Sequence, residues 1–280
     1  MSQCDISANY SSPLEELKPP LPIQLGFPEL LKPGTHTFFQ LIKLWLQDCN
    51  ENHADCRVST QTSLPTRLID VGTSEAPKLV LLETRENQPS DTRYITLSHP
   101  WGASVEHPPF RTLRKDPSGR GHELATFLKG IPYDQLPATF KDAVNTTRAL
   151  GIRYLWIDSI CIIQGDDGDF SEEAKRMEDV FSCAYCVLAA SRATSQHDGF
   201  LKARPQREYL TFQRDAEKPF YVCQPIDDFS RDVLEGSLNR RGWILQERAL
   251  ARRTVFFTEN QTYFECGRGV RCETLSKMHK

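Results

Sequence analysis

From Thr37 onward, Phe38, Leu41, Ile42, Trp45 and Leu46 recur at spacings of three and four, the period of an amphipathic helix. The period then shortens. Residues 67–71 and 78–83 read as two strands of a hairpin, joined through Gly72-Thr73-Ser74-Glu75-Ala76-Pro77. Residues 93–98 predict the next strand, stopped by His99-Pro100-Trp101-Gly102, and residues 103–131 read as a long loop rich in Pro, Gly, Lys and Arg. Pro137 suits the first turn of a helix whose stripe is Phe140, Ala143, Val144, Thr147 and Leu150, with Gly151 as its C-terminal cap. The run 154–163 is the most apolar in the chain and lacks alternation, as expected of a strand buried on both faces. Its one carboxylate, Asp158, is expected where the strand ends.

A second helix is expected from Ser171. Glu172 and Glu173 favour its first turn, and Ala174, Met177, Val180, Phe181 and Ala184 face inward. Residues 185–190 form a further apolar strand, 192–236 read as irregular, and a helix follows with Trp243, Gln246, Glu247 and Leu250 on one face. Residues 253–257 and 261–266 close the pattern as strands around Glu259-Asn260. The succession strand, helix, strand, helix, strand predicts right-handed crossovers and a parallel sheet, hence an α/β fold.

Composition narrows the class. The 280 residues are 39% hydrophobic with a formal net charge of -3, so no global field recruits nucleic acid or anionic membrane. No apolar run is long enough to span a bilayer, and residues 1–26 lack a signal-peptide core. Nine cysteines scattered over a long chain favour reduced thiols and a soluble, cytoplasmic protein. The first 34 residues, with Pro19-Pro20 and Pro22, read as a loosely ordered lead-in. We therefore divide the chain into a lead-in with its helix, residues 1–60, and a main domain, residues 61–280.

Four groups of residues are candidates for chemistry. Cys49, His53 and Cys56 would share one face if the first helix continues. They form either a buried patch with a capping His or three of the four ligands of a zinc ion, the fourth being absent locally. Ser98 and His99 are adjacent, but neighbours on a strand point to opposite faces and cannot form a nucleophile–base pair. Glu247 shares a stripe with Trp243 and Leu250 amid Arg240, Arg241, Arg248, Arg252 and Arg253, so it is either held in an ion pair or used in chemistry. Cys183 and Cys186 span a helix end and a strand start, which suits packing rather than redox work.

Four blocks in order resemble the heterokaryon-incompatibility (HET) domain of filamentous fungi. They are Tyr94-Ile-Thr-Leu-Ser-His-Pro-Trp-Gly102, Leu136-Pro-Ala-Thr-Phe-Lys-Asp-Ala143, Leu150-Gly-Ile-Arg-Tyr-Leu-Trp-Ile-Asp-Ser-Ile-Cys-Ile-Ile-Gln164 and Arg241-Gly-Trp-Ile-Leu-Gln-Glu-Arg248. The stretch from Trp45 to Cys56 and Phe264-Glu-Cys266 also look like family features. Pro100 stands where this subfamily more often carries Cys, so that loop has no thiol chemistry. The resemblance implies a role in non-self recognition and programmed cell death, or beside secondary-metabolite genes. It also implies a distant similarity to TIR domains, many of which cleave NAD. The fold expected is then a parallel-sheet flavodoxin/TIR-like core with helices on both faces, an N-terminal helix and hairpin, and β additions near the C-terminus.

By that similarity Glu247, four residues after Trp243, is the catalytic carboxylate. Ser98, His99, Trp101, Gly102, Asp158, Ser159, Arg241, Trp243 and Gln246 frame a nucleotide. NAD is the candidate substrate and no cofactor is required. Nicotinamide leaves from a cationic state, so one carboxylate suffices to stabilise the oxocarbenium-like transition state. The chain has no Gly-rich phosphate loop of the dehydrogenase or P-loop kind. The alternatives are a non-enzymatic module that associates with itself or a partner protein, and an enzyme or binding protein for a small metabolite.

Overall fold

The computed structural model describes residues 29–57, 63–89, 91–102, 108–115, 121–213, 219–240, 247–274 and 277–278; most of the proline-rich lead-in lies outside them. Helix α1, His36–Asn52, begins where the Thr35 hydroxyl accepts the Phe38 N–H, and it buries Phe38, Phe39, Ile42, Trp45, Leu46 and Cys49. Nine strands then build one sheet. In chain order they are β1 Arg67–Gly72, β2 Pro77–Glu83, β3 Tyr94–Ser98, β4 Tyr154–Ile157, β5 Cys186–Ala189, β6 Arg253–Phe257, β7 Thr262–Cys266, β8 Gly269–Cys272 and β9 Lys277–Met278. Their order across the sheet is β9-β8-β7-β6-β5-β3-β4-β1-β2.

The middle four, β4-β3-β5-β6, run parallel, and the flanking strands are antiparallel. This is the predicted α/β class, with the first parallel strand, β3, between the second and third. In such a 2-1-3-4 order the chain leaves β3 in opposite directions, which opens a crevice at the carboxyl ends of β3 and β5.

Register assigns the faces. Trp156, Thr96, Val187 and Thr254 form one row, and Ser98, Ala189 and Phe256 the next. Phe181 of the helical turn Met177–Ser182 meets Trp156 edge-on, and Phe229 meets Phe256. The opposite face carries Val255, Phe257 and Phe264 against α1, where Trp45 stacks on Phe264 at 6.1 Å and Phe38 contacts Phe257 at 6.3 Å. Helix α2, Ala138–Ala149, buries the expected Phe140, Ala143, Val144 and Thr147, and Gly151 follows it at φ 76°, as the cap requires. No described helix is long and apolar enough to cross a membrane.

Several expectations are corrected. The strand predicted over 154–163 ends at Ile157. Asp158–Cys161 is a helical turn, because the Asp158 carboxylate accepts the Ser159 N–H at 2.7 Å and its carbonyl accepts Ile162 N–H at 3.0 Å. Thr112–Leu113 and His122–Glu123, in the segment expected to be loop, pair with Ile163–Gln164 in a small three-stranded sheet. The helix expected from Ser171 splits into Phe170–Ala174 and Met177–Ser182, with Arg176 turned between them to donate to the Leu64 carbonyl at 3.0 Å and to the Thr66 hydroxyl. The region expected to be irregular holds a hairpin, Tyr209–Phe212 with Phe220–Cys223.

Candidate functional site at the strand ends

β3 and β4 deliver Ser98, His99 and Asp158 to one edge of the sheet. Trp101 donates its indole N–H to Asp158 Oδ2 at 2.8 Å, and His99 Nδ1 lies 3.8 Å from Asp158 Oδ1. Asp158, with a side chain 29% exposed, thus has one oxygen on Trp101 and the other on Ser159 N–H and beside His99. Its arrangement suits orienting a loop or a ligand hydroxyl.

The loop after β3 is locked by close approach. Gly102 has φ 85°, and a Cβ there would fall 2.6 Å from Ser195 Cβ. The neighbouring Gln196 is fully buried. Its amide nitrogen lies 3.5 Å from both His99 Nε2 and Ser159 Oγ, and its oxygen accepts the Phe110 N–H at 2.7 Å. Nothing in its local sequence marked Gln196, since it depends on Phe110, His99 and Ser159 from three other segments.

Ser98 and His99 separate as strand geometry demands. His99 meets the Phe140 ring edge-on at 5.0 Å, on the α2 side. Ser98 belongs to the row of Ala189 and Phe256 on the other side. The hydroxyls of Ser98 and Thr96 are both buried and have no hydrogen-bond partner among the described residues. They stand two positions apart on one strand and so share a face.

Glu247 is the first described residue of the helical stretch that leads into the amino end of β6, and its Oε2 is buried. The next residue, Arg248, makes a two-bond ion pair with Glu265 of β7, each N–O distance 2.9 Å, and its guanidinium lies 5.9 Å from the Phe256 ring. Arg248 therefore lies over the sheet face that carries Thr254 and Phe256, which is also the face of Ser98, whose strand β3 is two strands away from β6. Arg248, one of the arginines around Glu247 in the sequence, is thus engaged by Glu265. Arg241, Trp243 and Gln246 lie outside the described residues.

A separate cleft of about 440 Å³, lined by Thr66, Thr84, Arg85, Thr92 and Arg176, lies beside the β1–β2 edge of the sheet. Arg176 is committed there to Thr66, Leu64 and Glu173. The strand-end crevice carries the better claim, because the Ser98 hydroxyl there has no partner among the described residues.

A family model for the heterokaryon incompatibility protein (HET) matches residues 94–247, more than half of the chain. The chain belongs to the HET family. The match opens at the first residue of β3 and closes at Glu247, so the parallel strands β3, β4 and β5 and the candidate carboxylate lie within the family's span. A curated relative, heterokaryon incompatibility protein 6, OR allele, of Neurospora crassa, is 25% identical over 201 residues, covering 58% of this chain and 28% of its own. The chain thus spans under a third of that relative's length. No solved structure matches.

Proposed function

We propose that this HET domain acts in fungal non-self recognition and cleaves NAD at the nicotinamide–ribose bond, with Glu247 as the catalytic carboxylate. The observation that carries the reading is the buried hydroxyl of Ser98 at the carboxyl end of β3, which has no hydrogen-bond partner among the described residues. Leaving a buried hydroxyl unpaired costs about 1–3 kcal/mol, and a ribose or phosphate group offers the missing partner. In the reaction the C1′–N1 bond breaks, its electron pair returns to the pyridine nitrogen, and neutral nicotinamide leaves. Water then adds to C1′ and loses a proton, giving ADP-ribose. Glu247 stabilises the positive charge on the ribose, and Asp158 and Trp101 border the pocket.

The test is nicotinamide release from NAD by the purified protein, followed chromatographically over a wide range of protein concentrations. Ser98→Ala is expected to raise KM about tenfold, the loss of one hydrogen bond of about 1.4 kcal/mol, with an unchanged Tm. An unaltered KM removes Ser98 from the site.

A second reading, a self-associating module without catalysis, is favoured by a separate observation. The paired strands Tyr209–Phe212 and Phe220–Cys223 expose Leu210 (65%), Val222 (51%) and Phe212 (45%) together, an unusual density of apolar surface. On that reading, light scattering shows dimers or larger species that Leu210→Lys returns to monomer, and no nicotinamide is released at any concentration.

A further inference from the structure

Three cysteines and one histidine from distant parts of the chain converge behind the sheet. Cys49 lies in the last turns of α1. His53 caps that helix, its N–H bonded to the Cys49 carbonyl at 3.1 Å, and Cys56 ends the short 3-10 turn Ala54–Cys56. The sequence supplies these three. The fourth group, Cys266, is the last residue of β7. The four ligand atoms all lie within 4.8 Å of one another. We propose that Cys49, His53, Cys56 and Cys266 bind one zinc ion that staples α1 to the C-terminal strands.

The geometry is that of a tetrahedral site closed by protein ligands. Zinc–sulfur and zinc–nitrogen bonds of roughly 2.3 and 2.0 Å imply S···N edges of roughly 3.6 Å and S···S edges of roughly 3.8 Å. Cys266 Sγ is 3.4 Å from His53 Nδ1, so that edge is already formed, and the others, all within 4.8 Å, need contraction of roughly an ångström at most. The His nitrogen turned inward is Nδ1. The backbone N–H of Arg268 donates to Cys266 Sγ at 3.5 Å, the type of outer contact that steadies a ligating thiolate. Gly267 brings the β-turn backbone close: a Cβ there would sit 3.4 Å from Cys56 Sγ.

Burial argues the same way. Cys49, Cys56 and Cys266 are 0%, 3% and 5% exposed. A disulfide would consume two of the thiols and leave the third beside the imidazole, whereas one metal ion employs all four groups. Binding displaces the thiol protons, since the thiolates are the ligands. Three thiolates and a neutral imidazole match a divalent ion of zinc's softness.

The staple closes a loop of most of the chain. Along the same interface Asp48 pairs with Arg271, Asn50 accepts from Arg253, and Asp55 pairs with Arg268 at 3.1 Å. Cys266 adjoins Glu265, the residue that holds Arg248 next to Glu247. The metal would thus fix the strand on which the candidate catalytic helix rests.

The experiment is elemental analysis of the full chain, produced with zinc supplementation and purified anaerobically without chelators. About one zinc per chain is expected. Cobalt-supplemented growth should give the intense visible bands of tetrahedral thiolate-bound cobalt. His53→Cys keeps four ligands and should retain the metal, as should Cys223→Ser on the exposed hairpin, whereas Cys266→Ser should lose at least tenfold in zinc affinity. Where Cys266→Ser does not fold, the wild-type stoichiometry and the cobalt spectrum decide. Zinc far below one per chain in folded wild-type protein, a cobalt spectrum without thiolate character, or a disulfide within the cluster overturns the proposal.

Discussion

Glu247→Gln is expected to lower nicotinamide release by about a hundredfold or more, the scale seen when one electrostatic contact to a transition state is removed. The substitution keeps the side chain's shape and removes its charge. Nicotinamide needs no proton to leave, so the loss falls on stabilising the cationic ribose and should appear in kcat and in kcat/KM alike. The helical turn should survive, since its anchor is the ion pair of Arg248 with Glu265. Thermal unfolding is the control: a Tm within a few degrees of wild type separates lost chemistry from lost fold. Nicotinamide release unchanged in Glu247→Gln would sink the assignment of this residue, whatever the activity of the domain. Absence of release in the wild type would instead leave the self-associating reading in place.

Much of the architecture was legible because period alone dictates it. The stripe from Phe38 to Leu46 and that from Phe140 to Thr147 each bury the face they predict, although Leu41 stays only partly covered. The βαβαβ order was enough for a parallel core, and the reversal of direction around β3 placed the crevice. The short elements were not legible. Thr112–Leu113 and His122–Glu123 carry no pattern of their own and become strands only by pairing through Ile163–Gln164. The break at Asp158 was hidden inside an apolar run, since a helical turn and a strand buried on both faces look alike over four residues.

The site divides in the same way. Ser98, His99, Trp101, Asp158 and Ser159 were visible as polar residues at a strand end, and the fold gathers them. What the side chains do there depends on remote partners: Gln196 between His99 and Ser159, Phe140 under the imidazole, Phe256 in the row of Ser98. Cys266 was beyond reach for the same reason. Its partners Cys49, His53 and Cys56 have a local spacing, but only the pairing of β6 with β7 and the stacking of Trp45 on Phe264 bring the fourth ligand to them.

Arg204→Ala is expected to cost about 3–5 kcal/mol of stability at neutral pH, the range for breaking a buried pair from one side. Arg204 pairs with Glu273, the two side chains being 7% and 1% exposed, and it also donates to the Thr262 hydroxyl at 2.6 Å. Its guanidinium lies 5.7 Å from the Phe38 ring of α1, so the pair sits between that helix and the last strands. Burial raises the Glu273 carboxyl above its ordinary value, with Arg204 as the main opposing influence. Removing Arg204 therefore raises it further. A carboxyl whose folded value lies above its unfolded one favours the fold while protonated, and that advantage is lost as pH rises through the folded value. The penalty of Arg204→Ala should accordingly be largest at neutral pH and shrink as pH falls toward the ordinary Glu value of about 4.3. Urea unfolding at pH 7.5 and near pH 5 measures the difference. Joint replacement by Arg204→Met and Glu273→Leu should recover most of the loss, because neither charge is then left buried alone. A penalty independent of pH, or a double variant no better than Arg204→Ala, would mean that Arg204 acts through its packing on Phe38 rather than through the charge it neutralises.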